Sequence, residues 1–207
     1  MLQIIPTVLE KNFDLVEERL EKIGGLSRWI QIDVIDGKFS YGKSFELELL
    51  NRLEKDLKRE LLLDIHLMVK EPIKWIGKCN FVDANRLIGQ VEMMGDRNDF
   101  VNMVKDNNME VGLAFDIETK IEGVLPKDLD VVLLLARKSG FENFNFDEKI
   151  WEKLKKLKEL RQTKSLKFKI GIDGGVGLEK VEKLEKMGVD IIYSGRNYIK
   201  IINDQNN

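Results

Sequence analysis

The sequence predicts an α/β protein folded as a (β/α)8 barrel. Three observations carry that expectation. Short apolar stretches alternate strictly with amphipathic ones, about eight of each, which argues for a parallel sheet wrapped by helices. The 207 residues fit one domain, and eight such units in that length fit a closed barrel. No linker or low-complexity tract interrupts residues 1–207. An open, doubly wound sheet is the competing arrangement.

The elements follow in order. Gln3 to Pro6 reads as a short strand. Asn12 is placed to cap a helix that buries Phe13, Val16 and Leu20 and stops at Gly24-Gly25. Ile30-Gln31-Ile32-Asp33-Val34-Ile35 alternates as a strand, so Gln31 and Asp33 share one face, and Asp36-Gly37 opens its loop. Leu47, Leu50, Leu53 and Leu57 predict a helix from about Ser44. Leu61 to Met68 is a strand, and Pro72 starts a short helix with Trp75 and Ile76. Ala84 to Glu92 is a weaker strand, followed by a helix over Asp96–Asn107 and a strand over Val111–Phe115. A short helix is expected over Ile117–Val124, before Pro126. Val131 to Ala136 is a continuous apolar strand, of the kind buried on both faces. The longest helix runs from Asp147 to about Gln162. A strand over Phe168–Ile172 leads into Asp173-Gly174-Gly175. A helix over Leu178–Met187, a strand over Ile191–Tyr193 and a helix over Asn197–Ile202 complete the units, leaving a polar tail from Asn203 that is expected to fray.

Composition excludes several classes. Hydrophobic residues make up 43%, enough for a sizeable core, and the charged 34% nearly cancels to net −2. That balance, with a pI near 5.7, does not fit a nucleic-acid partner. The single cysteine, Cys79, excludes an internal disulfide framework and a four-cysteine zinc site. The start lacks a basic segment followed by a long apolar run, and no stretch approaches the roughly 20 apolar residues of a membrane helix. A soluble, cytoplasmic protein without a membrane partner is expected.

In a barrel the site lies where the strands end. Three strand ends carry Gln31 with Asp33, then His66, then Asp173. A carboxylate at the end of an apolar strand is costly unless paired, hydrogen-bonded or metal-bound. Two carboxylates facing one carbon from opposite sides suit removal and return of a proton with inversion. A divalent metal between them would lower their pKa values and stabilise an enediolate oxygen. Imidazole with carboxylates suits zinc, iron, cobalt or manganese. Gly174-Gly175 and Ser194-Gly195-Arg196 each open a helix after the last two strands. Their backbone N–H groups offer an anion site, to which Arg196 adds charge.

Four stretches carry a resemblance: Ile5-Pro6-Thr7-Val8-Leu9; Asp33-Val34-Ile35-Asp36-Gly37-Lys38-Phe39; Asp64-Ile65-His66-Leu67-Met68-Val69 with Glu71-Pro72; and Ile172-Asp173-Gly174-Gly175-Val176. Through them nearly the whole chain resembles the ribulose-phosphate 3-epimerase family, which implies a TIM barrel of the ribulose-phosphate-binding type. The resemblance implies a divalent metal held by two histidines and two aspartates, with the aspartates as the acid/base pair. Carried over, these are Asp33, His66 and Asp173, with Gln31 where the family has its other histidine. An amide oxygen is a poorer ligand than imidazole, so the metal is expected to bind weakly, as a harder ion, or not at all. The resemblance places Thr7 on the sugar, and Gly174, Gly175, Gly195 and Arg196 on the phosphate. It also keeps Met68, while Ile35 and Leu135 stand for other family methionines. Gln90 stands for a histidine of the fourth strand, and the loop Lys138-Ser139-Gly140-Phe141-Glu142-Asn143-Phe144 keeps Gly140 and Phe141 but loses later glycines.

The implied reaction interconverts D-ribulose 5-phosphate and D-xylulose 5-phosphate by proton transfer at C3. The implied partner is thus a phosphorylated ketose, and the family's habit implies a homo-oligomer. The alternative is a catalytically lapsed barrel that binds a phosphorylated ligand or a partner protein.

Overall fold

Eight parallel strands close into a barrel in chain order. They are β1 (Gln3–Val8), β2 (Trp29–Ile35), β3 (Leu62–Met68), β4 (Arg86–Gln90), β5 (Glu110–Phe115), β6 (Val131–Leu135), β7 (Lys169–Asp173) and β8 (Ile191–Ser194). This computed structural model describes residues 2–121, 125–140 and 145–205. The helices outside the barrel are α1 (Phe13–Ile23), α2 (Lys55–Glu60), α3 (Ile76–Phe81), α4 (Arg97–Asp106), α5 (Ile150–Thr163), α6 (Leu178–Lys186) and α7 (Tyr198–Gln205). Among the described residues, no helix is long and apolar enough to cross a membrane.

The period-two alternation of the strands divides the interior into two cores. Outward residues such as Ile32, Val34, Leu67 and Leu134 pack against the helices, with Phe13, Val16 and Leu20 of α1 among their partners. Inward residues Ile5, Ile88, Ala114, Val131, Leu133, Ile191 and Tyr193 fill the barrel itself. The polar residues between the outward ones therefore face inward, and Gln31, Asp33, Asp64, His66, Arg86, Gln90 and Asp173 are all buried.

A charged layer lies on the inner face of the strands. Arg86 donates to Asp64 Oδ2 at 3.0 Å and from Nε to Glu110 Oε2 at 2.8 Å, while the Tyr193 hydroxyl donates to Asp64 Oδ2 at 2.8 Å. The Arg86 guanidinium also stacks 4.1 Å from the Trp29 ring centre. Gly171 makes room for this layer, because a Cβ there would stand 2.9 Å from the Tyr193 ring. Asp64 precedes His66 by two positions on the same face, so this layer lies next below the strand-end residues.

Several elements differ from the sequence expectation. The helix expected from Ser44 is split into a 3-10 segment, Leu47–Arg52, and the short α2. Leu47, Leu50 and Leu53 recur at spacing three, the repeat that superposes side chains on a 3-10 helix, and all three are buried against the barrel. The helix expected over Ile117–Val124 is not formed over 117–121, and 122–124 lie outside the described residues. Ile117, Thr119 and Ile121 are β-branched, and the segment holds only a turn in which Thr119 N–H donates to Asp116 O at 3.0 Å. The helix expected from Asp147 starts at Ile150, because the Asp147 carboxylate accepts the Lys149 N–H at 2.9 Å in a preceding turn. Helix α7 continues through Asn203, Asp204 and Gln205, where fraying was expected.

Candidate active site

Asp33 and His66 are direct neighbours in the β2–β3 register. His66 Nδ1 lies 2.9 Å from Asp33 Oδ1, and His66 Nε2 lies 3.0 Å from Gln90 Oε1 on β4. Both ring nitrogens thus face oxygens. Burial disfavours the imidazolium, but the bond and charge of Asp33, with the Gln90 bond, raise the His66 pKa above its ordinary value. Gln90 also fixes the ring, so that Nδ1 is the nitrogen turned to Asp33.

Asp173 ends β7, across the barrel mouth. Each of Asp33, His66 and Asp173 offers an atom within 4.8 Å of the other two, and all three are buried. Burial, and then the negative charge of Asp33, push the Asp173 carboxyl up to about 6. Arg137 and His66 oppose that shift, as does the backbone N–H of Gly174. The Asp33 charge disfavours ionisation of Asp173, so the Asp173 carboxyl keeps its proton to higher pH than a solvated aspartate does.

Gln31 faces the same interior, but its Oε1 accepts from Thr7 Oγ1 at 3.3 Å. Its Nε2 is buried without a partner among the described residues, as are Gln90 Nε2 and Asp33 Oδ2. Buried polar atoms without partners mark a place where a bound group completes the hydrogen bonding.

Above this cluster opens a cavity of about 610 Å³. Thr7, Asp33 and Asp173 border it, as do Gly174, Gly175, Gly195 and Arg196. Met68 is buried at the end of β3 and is not among the bordering residues. Gly140, at φ +114°, has its bare face against Ser40, whose Cβ would stand 3.1 Å from a Cβ there. Phe141, Glu142, Asn143 and Phe144 lie outside the described residues.

Arg137 was not visible as a site residue in the sequence, where it only follows an apolar strand. Its stem occupies the space above Gly174, Cγ lying 2.7 Å from where a Cβ would stand. Its Nη1 donates to Gly140 O at 2.8 Å and to Lys138 O at 3.1 Å, which sets a fixed cation beside Asp173. The missing side chain of Gly174 thus serves Arg137.

Comparison with known proteins bears on the fold and on the family. The barrel is similar to phosphoribosyl anthranilate isomerase from Thermus thermophilus, with TM-score 0.62 and 11% identity over 94% of this chain and 87% of that one. It is similar to a mutant tryptophan synthase α-subunit from Pyrococcus furiosus, with TM-score 0.64 and 15% identity over 98% and 90%. At these identities the likeness concerns the fold alone. In sequence the chain is 25% identical to ribulose-phosphate 3-epimerase of Bacillus subtilis, over 94% of this chain and 91% of the relative. It is 29% identical to the protein of that name from Chlamydia pneumoniae, over 84% and 76%. The ribulose-phosphate 3 epimerase family profile matches residues 3–199, and with that match over almost its full length the chain belongs to this family.

Proposed function

We propose that the protein is a carbohydrate epimerase that interconverts D-ribulose 5-phosphate and D-xylulose 5-phosphate. The observation that carries this reading is the pairing of two buried carboxyls, Asp33 and Asp173, with His66 at the strand ends, below a cavity bordered by Arg19, Arg137, Arg196 and two glycine turns. One aspartate takes the C3 proton and the other returns a proton to the opposite face, so the stereocentre inverts. The raised pKa of Asp173 leaves it able to give a proton near neutrality, while the His66 hydrogen bond holds Asp33 in place. In the reverse direction the roles exchange. Thr7 stands at the sugar end, and the turns at Gly174, Gly175, Gly195 and Arg196 receive the phosphate.

Asp33, His66 and Asp173 fit a divalent cation: the set is one imidazole and two carboxylates, and Asp33 Oδ2 is buried without a partner among the described residues. When bound, such an ion supplies positive charge that stabilises the enediolate. Gln31 fits less well, because its amide oxygen is engaged by Thr7. Replacing it with an imidazole, Gln31→His, is expected to tighten zinc or manganese binding by at least about tenfold in a calorimetric titration. An unchanged affinity would remove position 31 from the ligand set.

A metal must displace the proton that Asp173 holds at low pH. With Asp173 pushed up to about 6, apparent metal affinity is expected to fall as pH drops through about 6, by up to about tenfold per pH unit. A flat profile between pH 5 and 7 would contradict it.

The reading itself is tested with ribulose 5-phosphate in deuterated water, with and without added zinc, iron, manganese or cobalt. Deuterium is expected at C3 of both epimers. No incorporation with any of these ions would overturn the reading for this substrate.

A further inference from the structure

Side chains from elsewhere in the chain grip the two glycine turns by their carbonyls. Arg19, on α1, donates from Nη2 to Gly195 O at 2.6 Å, 176 positions away in sequence. Asn197 donates from Nδ2 to Val176 O at 2.9 Å and so ties the β8 turn to the β7 turn. The Gly195 carbonyl also accepts the Tyr198 N–H at 3.2 Å as the chain enters α7.

These contacts set the direction of an amide. No peptide bond among the described residues is cis. In a trans peptide the C=O and N–H of one unit point in opposite directions. With Gly195 O held by Arg19 and Tyr198, the Arg196 N–H points out of the opening turn of α7, where Gly195, Arg196 and Asn197 border the cavity. The start of α6 is differently furnished: the Glu179 carboxylate lies over Gly177 and takes the N–H of its own residue. An anion at the mouth is therefore better served by the β8 turn than by α6. Arg19 itself borders the cavity, and Glu10 is the acidic group that feels both Arg19 and Arg196 there.

We infer that Arg19 is a positioning residue for anion recognition, holding the β8 turn so that the Arg196 amide meets the substrate phosphate. Its guanidinium adds positive charge on the same side of the mouth. The inference rests on the epimerase reading for its phosphorylated ketose, but its phosphate component is measured separately.

The test uses Arg19→Met and Arg19→Lys in the full chain. Inorganic phosphate binding is measured by calorimetry, and C3 exchange is followed with ribulose 5-phosphate and with unphosphorylated ribulose. Arg19→Met is expected to weaken phosphate binding and raise KM for ribulose 5-phosphate, each about tenfold, with kcat changed less than about twofold. Exchange of unphosphorylated ribulose should be unchanged, and Arg19→Lys should recover part of the phosphate affinity. Equal losses on both ketoses, or phosphate binding unaltered in Arg19→Met, would overturn the inference. Phosphate binding that depends on Arg19 in a protein without any C3 exchange would sustain it and sink the epimerase reading instead.

Discussion

Asp173→Asn is expected to lower interconversion of the two pentose phosphates by about 10²- to 10⁴-fold, the range that a positioned acid or base contributes. The asparagine is nearly isosteric and neutral, and the carboxyl it replaces is one that burial and Asp33 already push toward the neutral form. Folding should therefore be preserved. The informative readout is which epimer still exchanges its C3 proton. If each aspartate serves one face of the carbon, Asp173→Asn leaves Asp33 able to exchange one epimer with solvent while the other becomes inert. Asp33→Asn should give the opposite pattern. Both variants also remove a prospective cation ligand, so an equal loss for both epimers would report loss of the cation. Opposite asymmetries report the two proton carriers. Interconversion at wild-type rate in Asp173→Asn would remove Asp173 from the chemistry.

The alternation of strands with helices and the inward direction of Gln31, Asp33, His66 and Asp173 were legible because both follow from local pattern. A strand has period two, so apolar Ile30, Ile32 and Val34 fix where Gln31 and Asp33 point. Arg19 and Arg137 were not legible. Arg19 sits in a helix whose charges read as solvated surface, and its partner carbonyl is 176 positions away. Arg137 acquires meaning only when β6 and β7 lie side by side and Gly174 yields its space. The leucine-rich segment after β2 failed for another reason. Spacing by three is compatible with α and 3-10 geometry alike, and packing on the barrel selected the tighter one.

Arg86→Met is expected to destabilise the protein by about 3–5 kcal/mol, the cost of stripping one partner from a buried ion pair. Arg86 and Asp64 are 1% and 0% exposed, so the Asp64 carboxylate cannot turn to water when the guanidinium is lost. One of its oxygens, Oδ1, already lacks a partner among the described residues, and burial already pushes the group toward protonation. For a chain of this size the loss corresponds to a melting temperature lower by about 10 °C. The triple variant Arg86→Met, Asp64→Leu, Tyr193→Phe removes the stranded polar groups together and should regain most of the stability, because apolar replacements of similar volume need no desolvation repayment. A single variant within about 1 kcal/mol of wild type would mean that water reaches Asp64 and that the layer is not the closed ionic unit its burial implies. The same comparison separates stability from placement. Asp64 and His66 are alternate inward residues of β3, and Tyr193 both closes the charged layer and borders the cavity. A triple variant that folds as well as wild type yet loses epimerase activity would assign the ionic layer to holding the strand ends, and with them His66 and Asp173, in working register.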